Sequence, residues 1–549
     1  MKANKPKNVI FIITDQQTWV QNWDPKWAKE ELPAMQRLMK NGMTFNHAHT
    51  NSCTCSPSRT TLFTGMYPAH HRVTEVLGFD KTKSTEQIMQ QTLASNYQNM
   101  GKMMESAGFE VAYKGKWHLT KPAEYFKDVA QPDGQYDDLD QIYWSPVDVD
   151  HIANKYRFKH WNYPDAGDDM ALFNFGGGDI NNDGRFVDGN GQSAWFGNSI
   201  PKKDRIEAST IEYLNTYKEN HGEKPFFLVV SLVNPHDVLA FPGTGDNPLY
   251  KQGGYQDSDF DTIPVTLPAT VNENLDTKPS VQQVWKDVCQ FNGPINTDEK
   301  AKKYVQFYAY LTSLVDKEIN KVLNALDNNG LTDDTLIVRI SDHGDMAMAH
   351  GMQRQKMYNV YRQSLNIPMI FSNPKLFPEA QTTNSFAGLI DLMPTMANIA
   401  GIDPKHWTFQ GKDLMPILSN PDAIVQDYIH FTYDDTYLTT PNPAKMGPSH
   451  IRCIIEKEWK YAVYYDPHYG QKAEYEMYNL KNDPIEACNL AHETYSKGHE
   501  VERQRLHKRL IEVMIEKGTM PDEIVWPKVS GEDVAATQPD NVPVQQSVN

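Results

Sequence analysis

Four short apolar runs, each opening into polar residues, constrain this chain more than any other feature. Residues 8–13 are Asn-Val-Ile-Phe-Ile-Ile and lead into Thr14, Asp15 and Gln16. Residues 109–113 lead into Lys114, Gly115, Lys116, Trp117 and His118. Residues 225–233 lead into Asn234, Pro235 and His236, and residues 335–340 into Ser341, Asp342 and His343. Runs this short, largely apolar and rich in β-formers, suit the centre of a parallel sheet covered on both faces. Helical stretches separate them, at 34–41, 92–107, 203–219 and 298–328. The alternation through about residue 420 predicts an α/β fold with a large, mostly parallel sheet sandwiched by helices. Such sheets bind ligands beyond the carboxyl ends of their strands. The polar residues after the four runs are therefore expected to meet along one edge.

Beyond residue 420 the rhythm changes. Residues 451–465 read as a hairpin, 474–480 as a third strand and 501–517 as a helix, which predicts a small C-terminal antiparallel sheet with one helix. At 549 residues a large domain plus a smaller one is the default. The expected division is a catalytic domain at 6–425, an α+β subdomain at 426–525 and a polar tail at 526–549. The tail reads as disordered or as an arm serving a homodimer or higher homo-oligomer. Residues 120–200 lack periodicity and read as an insertion that shapes the substrate entrance. Within it, Asp179, Asn181, Asp183 and Gly184 match half of a calcium loop, although position twelve is Asn190 rather than Glu; a solvated turn is the alternative. Trp144, Tyr156, Trp161 and Trp195 would either stack on a substrate ring or pack the insertion's own core.

A formal net charge of −17 argues against nucleic acid or an anionic membrane as the main partner. It does not exclude a small anionic substrate, whose binding is decided by the local field. Five cysteines do not make a disulfide scaffold. With no signal-peptide pattern and no run of transmembrane length, a cytoplasmic enzyme is expected. A periplasmic or secreted one with its signal peptide removed is the alternative.

The most specific stretch is Cys53-Thr-Cys55-Ser-Pro57-Ser-Arg59, closed by Thr64-Gly65. Pro57 suits a first helical turn. A helix N-terminus beside Arg59 makes an electropositive pocket, where a thiol is expected to have a lowered pKa. Cys55-Ser-Pro-Ser-Arg59 with Thr64-Gly65 resembles the Cys-x-Pro-Ser-Arg motif of the type I sulfatases, a formylglycine-dependent family of the alkaline phosphatase superfamily. The resemblance implies that Cys55, not Cys53, is oxidised to Cα-formylglycine, and that a formylglycine-generating maturation enzyme is a partner. It also implies an alkaline-phosphatase-like fold.

Other positions match residue by residue. Asp15, Gln16, Asp342 and His343 resemble the family's metal ligands, completed by position 55. Gln16 stands where many members have a second Asp, an Asp-Gln pair found in choline-sulfatase-like and phosphonate-hydrolase-like branches, and His343 stands where many have Asn, a substitution that other members of the family also carry. The implied cofactor is one divalent cation, Ca²⁺ first, with Mg²⁺ or Mn²⁺ as alternatives. Lys116 and His118 match a Gly-Lys-Trp-His element. His236 matches a substrate-contacting histidine and Lys356 the family's second lysine, while Arg362 replaces the usual Glu after Tyr361. The implied activity is hydrolysis of aryl or small-molecule sulfate monoesters through a formylglycine gem-diol, with Arg59 and Lys116 stabilising charge, His118 as base, and His236 or Lys356 as acid. Two alternatives share the scaffold: a phosphonate monoester or phosphodiester hydrolase, and an inactive calcium-dependent glycan-binding protein.

Overall fold

In a computed structural model, residues 6–77, 91–121, 146–163, 165, 182–190, 201–435, 447–467 and 470–521 are described. The strands, in chain order, are β1 (Asn8–Asp15), β2 (Gly42–His49), β3 (Ser52–Cys53), β4 (Glu110–Gly115), β5 (Phe226–Pro235), β6 (Thr335–Ser341), β7 (Met369–Ser372), β8 (Gln381–Gly388), β9 (Tyr428–Tyr433), β10 (His450–Glu456), β11 (Trp459–Tyr465) and β12 (Glu474–Asn479). Seven form the large sheet, in the order β4-β5-β1-β6-β7-β2-β8. The four strands read from the apolar runs are adjacent and parallel. β7 runs antiparallel to both β6 and β2, so the sheet is mixed at that side.

Alternation along β1 explains why the run is apolar throughout. Ile10 and Ile12 face a core shared with the long Asp298–Asn328 helix, whereas Val9, Phe11 and Ile13 face a second core shared with the Met100–Ser106 and Leu392–Ala400 helices. A strand with two buried faces carries few polar residues until it leaves the sheet. No described helix is long and apolar enough to cross a membrane.

The smaller sheet has the order β12-β11-β10-β9-β3, with the Glu500–Lys517 helix packed on it. The hairpin, third strand and helix lie where the sequence puts them. β3 is the addition: two residues from the N-terminal part pair in parallel with β9, Ser52 opposite Thr432 and Cys53 opposite Tyr433. The segment entering the Cys55 helix is thus held by the C-terminal sheet. β8 also escaped the sequence, because its outer residues are exposed and polar and make no apolar run.

The 203–219 stretch is two helices, Lys202–Glu207 and Thr210–His221, because the Ser209 side chain caps the second. Only Met100–Ser106 of the 92–107 stretch is helical, started by the Asn99 cap. Tyr156 and Trp161 join the main core beside Trp117 and Phe158 and are not free for ring stacking. Trp144, Trp195, the calcium-loop positions 179–181 and the 526–549 tail lie outside the described residues. Both oxygens of Asp183 accept backbone amides, from Val233 and Asn234 at the end of β5.

Candidate active site

The carboxyl ends of β4, β5, β1 and β6 deliver Lys116, His236, Asp15 and Asp342 to one place, and the Cys55–Thr64 helix points its first residue at them. The helix is wholly buried. Ser58 anchors it, its hydroxyl donating to the Asp342 carbonyl at 2.6 Å, and Gly65 ends it in the left-handed conformation. Two other glycines allow close approach. A Cβ on Gly115 (φ +89°) would lie 1.9 Å from the Ser231 carbonyl oxygen, and one on Gly344 would lie 2.0 Å from that of Gln363.

Asp15, Cys55, Asp342 and His343 each offer a ligand atom, and all four atoms lie within 4.8 Å of one another in full burial. The Cys55 sulfur is 3.1 Å from His343 Nε2 and 3.8 Å from Asp15 Oδ1. His343 Nδ1–H donates to the Gly344 carbonyl at 3.0 Å, and burial keeps the ring neutral. Its Nε2 lone pair therefore faces the group, the arrangement expected of a metal-ligating imidazole. Two hard carboxylate oxygens with one imidazole fit a divalent cation.

Cations bracket these carboxylates. Arg59 donates from Nε to Asp342 (2.9 Å), from Nη2 to Asp15 (3.1 Å), and from Nη1 to Ser231 Oγ (2.7 Å) and the Lys116 carbonyl. The Lys116 ammonium lies 2.7 Å from Asp15. Burial alone would raise the Asp15 carboxyl, but the charges of Lys116 and Arg59 hold it well below the usual carboxylate range. The Cys55 thiol behaves oppositely to the sequence expectation. Burial, and then the Asp15 carboxylate, push it far up, outweighing the lysines. A helix N-terminus lowers a thiol only when water or cations dominate its surroundings.

His118 sits at φ +52°, its backbone amide and that of Trp117 held by the Asp165 carboxylate at 2.8 and 2.7 Å. Its Nε2–H donates to the Leu77 carbonyl at 2.8 Å, leaving Nδ1 with no hydrogen-bond partner among the described residues. Burial and Lys116 keep this ring neutral, and the same two influences act on His236. The Lys356 ammonium donates to Gln16 Oε1 at 2.7 Å, and Gln16 Nε2 donates to Asp345 at 2.7 Å. All the site residues named from the sequence thus belong to one buried cluster. Ser231, Asp165 and Asp345 were missed. Ser231 is hidden in an apolar run, Asp165 lies in the aperiodic insertion, and Asp345 stands visibly two residues after His343 without a motif to mark it.

Lys114, two residues from Lys116, turns the other way and donates to the Ala208 carbonyl at 2.5 Å. Burial brings its ammonium down to about 7. Between about pH 7 and 10 the unfolded chain holds a proton there that the folded chain does not, so stability rises with pH across that window. Lys114→Met is expected to flatten this rise and to stabilise the protein near neutral pH by on the order of a few kcal/mol. Denaturant melts from pH 7 to 10 check it; an unchanged slope would refute the assignment.

Comparison with known proteins decides the family. The model of the Sulfatase family matches residues 7–402. The chain belongs to the sulfatase family. A second model, N-sulphoglucosamine sulphohydrolase, C-terminal, matches residues 350–516. This sulfatase is 24% identical over 520 residues to arylsulfatase K of Mus musculus, covering 90% of this chain and 79% of the relative. It is 25% identical to an N-acetylglucosamine-6-O-sulfatase of Bacteroides thetaiotaomicron, covering 93% and 86%. Its fold is shared with a phosphonate monoester hydrolase of Silicibacter pomeroyi (TM-score 0.61, 18% identity, 93% of this chain and 95% of that one). The sulfatase is a sulfuric ester hydrolase of alkaline-phosphatase-like fold that cleaves sulfate monoesters, and its family uses a metal ion and formylglycine.

Proposed function

We propose that this enzyme hydrolyses a small organic sulfate, on an aryl or single sugar ring, with Cys55 converted to formylglycine and one Ca²⁺ held by Asp15, Gln16, Asp342, His343 and position 55. The observation that carries this reading is the buried group of four ligand atoms at the start of the Cys55 helix, bracketed by Arg59 and Lys116. The two carboxylates suit Ca²⁺ or Mg²⁺, and the neutral imidazole also admits a softer ion, so Mg²⁺ and Mn²⁺ are the other ions to test. Hydrated formylglycine would supply the nucleophile, and the cation would offset the negative charge of the sulfate and acidify that nucleophile.

The chain's own residues would do the rest. Arg59 spans Asp15 and Asp342 and aims both carboxylates at the centre. Lys116 neutralises Asp15 from the side of β4. The Nδ1 lone pair of His118 is oriented to take a proton, because Nε2 is committed to the Leu77 carbonyl. His236 and Lys356 would face the leaving oxygen, Lys356 as the proton donor.

The phosphonate reading keeps some support, since the Asp15-Gln16 pair resembles that branch and the fold is common to both. A panel of kcat/KM values separates the readings: an aryl sulfate, an amino-sugar sulfate, a phosphonate monoester and a phosphodiester. The protein used should have a formylglycine content measured by mass of the peptide containing residue 55. The sulfate esters are expected to lead by at least about tenfold, a margin of about 1.4 kcal/mol in the barrier. Preference for either phosphorus ester would overturn the proposal. Chelation is expected to remove activity and added Ca²⁺ to restore it; full activity after exhaustive chelation would exclude a cation at this group.

A further inference from the structure

A side-chain amide has nearly the same shape when its oxygen and nitrogen are exchanged, so its orientation must be set by what flanks it. Gln16 is flanked unambiguously. On one side stands Asp345, which only accepts: its Oδ2 takes the Gln16 Nε2–H at 2.7 Å. On the other stands the Lys356 ammonium, which only donates, and it reaches Gln16 Oε1 at 2.7 Å. The Gln16 backbone is held as well, its N–H donating to Asp342 at 3.1 Å and its carbonyl accepting from Tyr308 at 2.6 Å, with φ +68°. Asp345 is itself fixed by the Tyr304 hydroxyl, 3.1 Å from both oxygens, and by the amides of Ala347 and Gln355 at 2.7 and 3.1 Å. Gln16, Asp345, Tyr304 and Lys356 are all buried residues. The Lys356 ammonium is thereby tied through Gln16 to Asp342, one of the residues of the four-atom group.

We propose that Asp345 is a positioning residue that acts through Gln16 on Lys356. Its carboxylate turns the Gln16 amide so that Oε1, rather than an N–H, meets the ammonium and holds it toward residue 55. Replacing Gln16 by an acid would set two carboxylates against each other across the present 2.7 Å bond, which accounts for an amide at this position. The inference rests on the reading of Lys356 as a group of the reacting centre.

The test is a set of mutant cycles on the metal-loaded, formylglycine-containing enzyme with aryl sulfates of graded leaving-group basicity. Asp345→Asn and Gln16→Met are each expected to lower kcat/KM on the order of tenfold to a hundredfold, with the loss growing as the leaving phenol becomes more basic. The double variant is expected to be no worse than the poorer single one, and Asp345→Asn to cost less than about twofold in a Lys356→Met background. Asp345 also closes the loop from Met346 to Gln355, so a purely structural role would lower stability and activity equally in every background. Melting curves on each variant separate the two. If Asp345→Asn fails to fold, Tyr304→Phe takes its place; its smaller loss, about threefold, should vanish in Gln16→Met. Losses that multiply while Lys356→Met is impaired overturn the relay alone. A Lys356→Met enzyme as active as the wild type removes Lys356 from the reacting centre, and the proposal with it.

Discussion

Cys55→Ala is expected to abolish sulfate ester turnover, by at least about four orders of magnitude, which is the scale for removing a covalent nucleophile. The fold should survive, because the change deletes one buried sulfur at the first residue of a helix that Ser58, Arg59 and the β3–β9 pairing hold in place. The unmodified thiol cannot substitute for the nucleophile. A thiol has no second hydroxyl from which to expel sulfate. Two measurements check this together: kcat/KM on an aryl sulfate, and the mass of the peptide containing residue 55 in the parent enzyme. Retained turnover in Cys55→Ala, or a full thiol in a fully active parent, would refute the role of position 55.

Arg59→Met should produce the largest loss of stability. One guanidinium holds Asp15, Asp342, Ser231 and the Lys116 carbonyl, all in full burial. Methionine fills much of the volume but leaves two buried carboxylates with one fewer counter-charge. Breaking a buried pair in this way costs about 3–5 kcal/mol. Lys116 still reaches Asp15, so Asp342 bears most of the loss. A divalent cation at the four-atom group would offset part of it. The variant's melting temperature should therefore fall on chelation by more than the parent's does. A variant as stable as the parent in chelator would show that Arg59 does not carry these charges. Arg59→Lys should not rescue, since one ammonium cannot bridge both carboxylates in the guanidinium's fork geometry.

The four apolar runs were legible because strands buried on both faces admit few polar residues, so the cluster of polar residues in which Asp15, Lys116, His236 or Asp342 appears marks the point where the strand leaves the sheet. The Cys55 motif was legible because Pro57 and Gly65 mark a helix's start and stop. Strands with an exposed face, such as β8, and strands of two residues, such as β3, leave no such pattern. Boundaries set by a single cap, at Ser209 and Asn99, were also blurred.

The chemistry of the cluster was legible only as residue types. Sequence alone determined which side chains leave the sheet at its active edge and that position 55 opens a helix, because strand burial and helix punctuation are local properties. The tertiary structure decided the rest. It made the Cys55 thiol hard to ionise rather than easy, because burial and a carboxylate from β1 outweigh the helix N-terminus. It turned Arg59 from an anion-binding group into a clasp for Asp15 and Asp342, and linked Asp345 to Lys356 through Gln16. Protonation and hydrogen-bond direction depend on atoms a few ångströms apart that come from residues hundreds of positions apart, and only the folded sheet brings them together.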